Sequence, residues 1–320
     1  MSENIQPTPA GEAFMDNERG VWLQDYNVWD GQKMTVVRYM YNGTEWVVDN
    51  VNSNSLEDDT TIKLTKDIPN TTAGISLKKS VINLNKSIVD LSKKTGINLG
   101  KHRARVAVVM DYSGSMRRLY TTGAIQRVLT RLMPLALRFD DNGELDIWLF
   151  NQYYQSIPSM NLKNFENYVE EVINRSGFRF GATSYAPVLE DVLNTYFSKS
   201  KKLNLIGNMF KKQEGQKEEP PVFVIFITDG ANSDKPATNQ VILKSSEQKM
   251  FIQFVGIGEE TFPYLEKLDE LSGRRVDNTG FIKVKDFELL KDEEVYDMLL
   301  SQYPEWLKAM GIMWYYKKSK

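Results

Sequence analysis

The chain has 320 residues, with 40 Lys and Arg against 42 Asp and Glu for a formal net charge of −2, so it carries no global electrostatic footprint for nucleic acid or an anionic membrane. It contains no cysteine, which excludes disulfides, zinc–thiolate sites and cysteine nucleophiles, and His102 is the one histidine it offers to acid–base or triad chemistry. At 41% hydrophobic residues it can bury a substantial core, in one large domain or a domain plus a smaller module.

Residues 1–19 are polar, carry Pro and Gly and lack the basic-then-apolar order of a secretory signal; they read as a disordered tail. No run approaches the roughly 18 apolar residues of a transmembrane segment, so the expectation is a soluble, cytoplasmic chain. Residues 20–61 read as a small β-hairpin module. Two β-rich runs flank Asn42-Gly43, a pair suited to the positive φ values of a tight hairpin turn, and Trp22, Trp29, Tyr39, Tyr41 and Trp46 are candidates for a small aromatic core. Residues 62–102 form a connecting arm with the echoes IKLTK, ISLKK, INLNK, VDLSK and INLGK. Each echo alternates like a short strand. Leu77, Val81, Leu84, Ile88 and Leu91 also fall at helical spacings of four, three, four and three, no Gly or Pro interrupts residues 75–95, and Gly96 stands where a C-terminal cap would. The helix is the favoured of the two readings.

From residue 103 to 320 strands and helices alternate. RVAVVMD, LDIWLF, PVFVIFITDG, MFIQFVGIG and GFIKVKD read as strands, several of them continuous apolar runs of the kind buried in parallel sheets. Residues 119–139 (with Pro134 as a kink), 162–175, the TSYAPVLEDVLNTYF stretch, 236–249, FPYLEKLDELSG and 288–311 read as helices, and residues 198–220 as a surface excursion. This order implies an α/β fold, a doubly wound and mostly parallel sheet with helices on both faces, whose ligands bind at the carboxyl ends of the strands.

Three polar clusters fall at those ends: Asp111-Tyr112-Ser113-Gly114-Ser115, Gly181-Ala182-Thr183-Ser184 and Thr228-Asp229-Gly230. Brought together, they offer two carboxylates and three hydroxyls, the hard oxygen donors that Mg²⁺ takes with waters or borrowed ligand oxygens completing its octahedron. Glycines 114, 181 and 230 would let the backbone bend around an ion. One cluster alone would be an ordinary capped turn.

Asp-x-Ser-x-Ser after a buried strand, a later Thr in GATS and TDG after a second buried strand resemble the metal-ion-dependent adhesion site (MIDAS) of von Willebrand factor A domains, over residues 103–313. FIQFVGIG, FPYLEKLDELSGRRVDN and YPEWLKAMG resemble the von Willebrand A domain of tellurium-resistance proteins of the TerF type, and the SLKK…INLNK…VDLSKK arm is similar to the lead-in of that group. GATS departs from the commoner GGTS but keeps the hydroxyl. The resemblance implies that Asp111, Ser113, Ser115, Thr183 and Asp229 bind a divalent cation, Mg²⁺ with Mn²⁺ or Ca²⁺ as alternatives, and that a protein partner supplies an Asp or Glu carboxylate to it. It implies a non-enzymatic interaction protein in a bacterial tellurite or stress-resistance system. The alternatives are a metal-dependent phosphoryl-transfer enzyme with Asp111 as nucleophile, and a scaffold whose metal site is vestigial. A serine hydrolase does not fit, because DYSGS lacks the G-x-S-x-G elbow and His102, read as an exposed residue of the basic KHRAR stretch, lies at the far end of the strand.

Overall fold

The computed structural model describes residues 8–9, 13–16, 21–29, 34–41, 46–48, 64–207, 219–230 and 232–312. The chain divides into two units, Met1–Asp59 and Thr60–Lys320.

The first unit is an antiparallel sheet. Its strands are β1 (Thr8–Pro9), β2 (Phe14–Asp16), β3 (Val21–Trp29), β4 (Met34–Tyr41) and β5 (Trp46–Val48). Strand β3 is central, pairing with β1, β2 and β4, and β4 pairs with β5. Two strands therefore lie within residues 1–19, where composition suggested a disordered tail: both are short and gain their hydrogen bonds from β3, which no local signal reveals. Tyr41 faces Trp46 across the β4–β5 pair, so four residues rather than two connect the strands, and the Asn42-Gly43 turn lies outside the described residues. Of the expected aromatic core, three members are corrected, Tyr39 is half-buried against Tyr26, and the Trp29 side chain lies outside the described set. Trp22, Tyr41 and Trp46 are exposed, while Leu23 and Gln24 beside Trp22 on β3 are buried.

The second unit begins with α1 (Thr72–Thr95), the arm. Thr71 caps it by accepting from Gly74 N, and Gly96, at φ 76°, ends it. Leu77, Val81, Leu84, Ile88 and Leu91 are all buried, which is the helical stripe rather than the strand alternation. There follow β6 (Arg105–Asp111), α2 (Arg117–Thr121), α3 (Ala124–Phe139), β7 (Leu145–Phe150) and β8 (Tyr154–Met160). Then come α4 (Ala186–Gly207), β9 (Val222–Thr228), α5 (Lys235–Ser245), β10 (Met250–Ile257), α6 (Pro263–Asp269), β11 (Thr279–Val284), α7 (Asp292–Leu300) and α8 (Tyr303–Ala309). The six-stranded sheet has the order β11-β10-β9-β6-β7-β8, parallel throughout except for β8, which is antiparallel to β7. One face packs on α1, α3, α7 and α8, the other on α4, α5 and α6.

Several local expectations change. The stretch 119–139 breaks at Gly123, whose φ is 75°, and not at Pro134, which stays inside α3. Residues 162–175 form a 3₁₀ turn and a single π turn because the Gln126 side chain intervenes: it donates to the Phe165 carbonyl at 2.6 Å and accepts from Val169 N at 2.9 Å. Helix α4 continues to Gly207 into the supposed surface excursion, whose residues 208–218 lie outside the described set. The last predicted helix is two, α7 and α8, and Pro304 sits in the first turn of α8, where a missing N–H costs nothing. His102 is buried, not exposed: its Nε2 is hydrogen-bonded to the Tyr303 hydroxyl at 2.8 Å, and burial, with the charges of Arg103 and Arg138, lowers its pKa to about 4.

Candidate metal centre

Strands β6 and β9 are parallel neighbours. The chain leaves β6 toward β7 on one side and returns to β9 on the other, so their carboxyl ends form the point where strand order reverses. Asp111 ends β6 and Thr228 ends β9. Asp111 is fully buried. Its Oδ1 accepts from Ser113 N at 2.8 Å and its Oδ2 from the Thr228 hydroxyl at 2.7 Å. The Thr228 hydroxyl is also hydrogen-bonded to the Tyr185 hydroxyl at 3.1 Å, and Tyr120 OH donates to the Asp111 carbonyl at 2.9 Å. Burial raises the Asp111 carboxyl to about 6, against the downward pull of those hydrogen bonds and with a further push from the Asp229 charge.

The other two loops are tied to this point by hydrogen bonds. Gly114 N donates to the Gly181 carbonyl and Gly181 N to the Tyr112 carbonyl, both at 3.2 Å, and Ser113 pairs with Gly181 as an isolated parallel bridge. The Thr183 carbonyl accepts from Ser233 N at 3.0 Å and from the Ser233 hydroxyl at 2.7 Å. Asp234 completes the triangle by accepting from Tyr185 N and Ala186 N at 3.0 and 2.9 Å, which caps α4. Each pair of the three loops is thus joined directly.

The Ser113 and Ser115 hydroxyl oxygens lie 3.1 Å apart. Adjacent ligands of an octahedral ion with bonds near 2.1 Å stand about 3.0 Å apart, so these two fit neighbouring positions. The side chains of Thr183, buried, and Asp229, half-buried, have no hydrogen-bond partner among the described residues and keep their lone pairs for an ion. A buried carboxyl, a second carboxylate and three hydroxyls form a donor set of hard oxygens that fits a divalent ion such as Mg²⁺. Among the described residues no cluster of three His, Asp or Glu exists, so the hydroxyls would have to supply the remaining ligands.

Of the three glycines only Gly230 has a left-handed backbone, at φ 99°, and a Cβ there would lie 2.7 Å from the Phe262 ring. Gly181 is crowded by Asn151, whose Nδ2 would lie 2.9 Å and Cγ 3.1 Å from a Cβ there, and by the Gln152 amide, whereas Gly114 has open space. Sequence reading did not assign Thr228, Tyr185, Tyr120, Ser233 or Asp234 to the site. Thr228 was legible as the neighbour of Asp229; the others arrive through tertiary contacts with no local signature. The helix after Ser115 is only the five-residue α2, too short for its dipole to attract an anion with any force.

A family model described as vWA-TerF-like, vWA found in TerF C terminus, matches residues 103–313. The uncharacterized protein YcbR of Bacillus subtilis (strain 168) is 38% identical over 231 residues, 69% of this chain and 86% of that protein. Among solved structures, proximal thread matrix protein 1 from the mussel byssus with a zinc-occupied MIDAS motif is 17% identical at a TM-score of 0.45, over 63% of this chain and 48% of that one. Manganese-loaded TRAP of Plasmodium vivax is 18% identical at a TM-score of 0.41, over 62% of this chain and 72% of that one. The chain spans about half the length of the mussel protein it matches. The carboxyl-edge triangle of loops and the matched span agree in placing the second unit's sheet: the chain belongs to the vWA-TerF-like family of von Willebrand A domains.

Proposed function

We propose that this protein is a metal-dependent interaction module, in which Asp111, Ser113, Ser115, Thr183 and Asp229 hold a divalent cation, Mg²⁺ first among them, and a protein partner adds an Asp or Glu carboxylate. The observation that supports the reading is the hydrogen-bonded triangle that joins the three loops carrying these residues at the carboxyl ends of β6 and β9. The residues' own work is positional. Thr228 and Ser113 N hold the Asp111 carboxylate, and the short Ser113–Ser115 contact sets two neutral oxygens side by side. A bound cation would supply positive charge that neutral hydroxyl ligands leave largely unquenched, which favours an anionic partner. We propose binding rather than turnover because Asp111 is fully buried with both oxygens engaged, a poor nucleophile, and the single histidine precedes the opposite end of β6, bonded to Tyr303. The family likeness supports a place in a bacterial tellurite or stress-resistance system, and cytoplasmic location follows the same reading; no helix among the described residues is long and apolar enough to cross a membrane.

The test is thermal unfolding of the full chain with Mg²⁺, with Mn²⁺ and with chelator. An ion at 100 times its Kd stabilises the folded state by about 2.7 kcal/mol, so both ions should raise the Tm of the wild type and neither that of Ser113→Ala. Identical Tm values in all three conditions would remove the metal reading.

A further inference from the structure

An arginine stands beside the candidate metal edge, held by aromatic rings. Tyr112, between Asp111 and Ser113, stacks on Phe180 with centroids 4.0 Å apart and planes within 5°, and packs edge-on against Tyr120 at 4.7 Å. The Arg117 guanidinium lies over the Phe180 ring, 4.6 Å from its centroid. Arg117 is exposed and makes no ion pair among the described residues. The aromatic stack takes the place that a carboxylate would hold: it orients the planar guanidinium by cation–π attraction while leaving its N–H fork unfilled. The loop that supplies Phe180 is the one joined to Ser113 through Gly181, so the guanidinium is fixed to the same frame as the metal donors. Two acids of the site's frame are otherwise engaged, and Asp229 is assigned to the cation in the reading above. Asp234 caps α4, and Asp111 accepts from Thr228 and Ser113 N.

Resting on the adhesion-type reading above, we propose that the partner segment carries two carboxylates spaced acid-x-acid, the first for the cation and the second for Arg117. The spacing follows from chain geometry. Arg117 is two residues beyond Ser115, so their Cα atoms stand no more than about 7 Å apart. Side chains two apart in an extended peptide share one face at a spacing of about 6.6 Å. Adjacent acids would point to opposite faces and could not serve both positions. A guanidinium preset in its plane favours the bidentate carboxylate contact, which makes Arg117 a selector of partner sequence rather than a general attractant.

The experiment uses the full chain and fluorescein-labelled Gly/Ser decapeptides carrying one Glu, two adjacent Glu, or Glu-x-Glu, with anisotropy read in Mg²⁺ and in chelator. Wild type should bind Glu-x-Glu at least fivefold tighter than either other peptide, in Mg²⁺ only. R117Q should reduce that preference below twofold while leaving single-Glu binding and the Mg²⁺-dependent Tm shift intact. Phe180→Leu, which keeps the charge but removes the platform, should fall between, and R118Q should behave as wild type. Metal-dependent binding with no spacing preference, a preference that survives R117Q, or an equal loss in R118Q overturns this inference alone. Peptide binding that chelator leaves unchanged overturns the metal reading and this inference with it.

Discussion

Asp111 carries opposite consequences for stability and for binding. Its carboxyl has a folded pKa of about 6 against an ordinary 3.8. The folded state therefore holds the proton more tightly than the unfolded one. The stability this contributes is full below pH 4 and is lost as pH rises through 6, and above that the metal-free protein bears a buried, under-compensated charge. The cost is on the order of 2–3 kcal/mol. Asp111→Asn keeps the carbonyl oxygen facing Ser113 N and removes the charge. In chelator at pH 7 the variant should be more stable than wild type by about 2 kcal/mol, an advantage that shrinks toward pH 4, and it should show no Mg²⁺-induced rise in Tm. Urea unfolding at the two pH values, with and without ion, reads both effects. A variant less stable than wild type at pH 7 would mean that the Thr228 hydrogen bond, not the charge, dominates the site.

The long α1 helix does at its ends and along its face what its sequence announces, but its partner could not be read. Ser80 donates to Asp292 at 2.6 Å, and the Arg131 Nε meets the same carboxylate at 2.8 Å with both side chains under one fifth exposed. Arg131 Nη2 also donates to the Leu290 carbonyl at 2.8 Å. A small polar knot thus fastens α1, α3 and the first turn of α7. Removing one side of a mostly buried ion pair strands the other, so Arg131→Met should cost about 3 kcal/mol, and adding Asp292→Asn should restore part of it; a double-mutant cycle from urea midpoints measures the coupling. Additive losses would show the pair to be incidental. The elements that were legible share one property: their signal is local. The apolar runs of β6, β9 and β10 and the stripe of α1 each stand alone. What failed depended on partners. β8 reads YQSIPSM, with Pro158 and little alternation, and is a strand only because β7 offers its free side. Gln126 replaces helix hydrogen bonds in the 165–173 turns, and His102 is buried by Tyr303 and Phe139, both remote in sequence. At the candidate site the five motif residues were legible because spacing and strand ends advertise them, whereas Tyr185 and Tyr120 reach it only through the fold.

At the scale of the molecule, the matched span starts at residue 103 but the core of the second unit does not. Leu77, Val81, Leu84 and Ile88 belong to the same buried cluster as Val106, Leu132 and Leu299. A fragment of residues 103–320 would uncover the helix surfaces that α1 covers, while a fragment of residues 60–320 keeps them. The longer fragment should be monodisperse and show the wild-type Mg²⁺ response; the shorter should aggregate or bind a hydrophobic dye. Size-exclusion chromatography decides between them, and a well-behaved shorter fragment would reduce the arm to an accessory.

The bond between Ser80 and Asp292 spans 212 positions of sequence, and that interval is also a waiting time. At a synthesis rate of 5–20 residues per second the ribosome needs about 10–40 s to travel it. Helix formation itself takes on the order of a microsecond, so α1 is ready long before α7 emerges. In the interim part of its greasy stripe has no permanent cover, and the nascent chain is most exposed to chaperone capture or misassociation in that window.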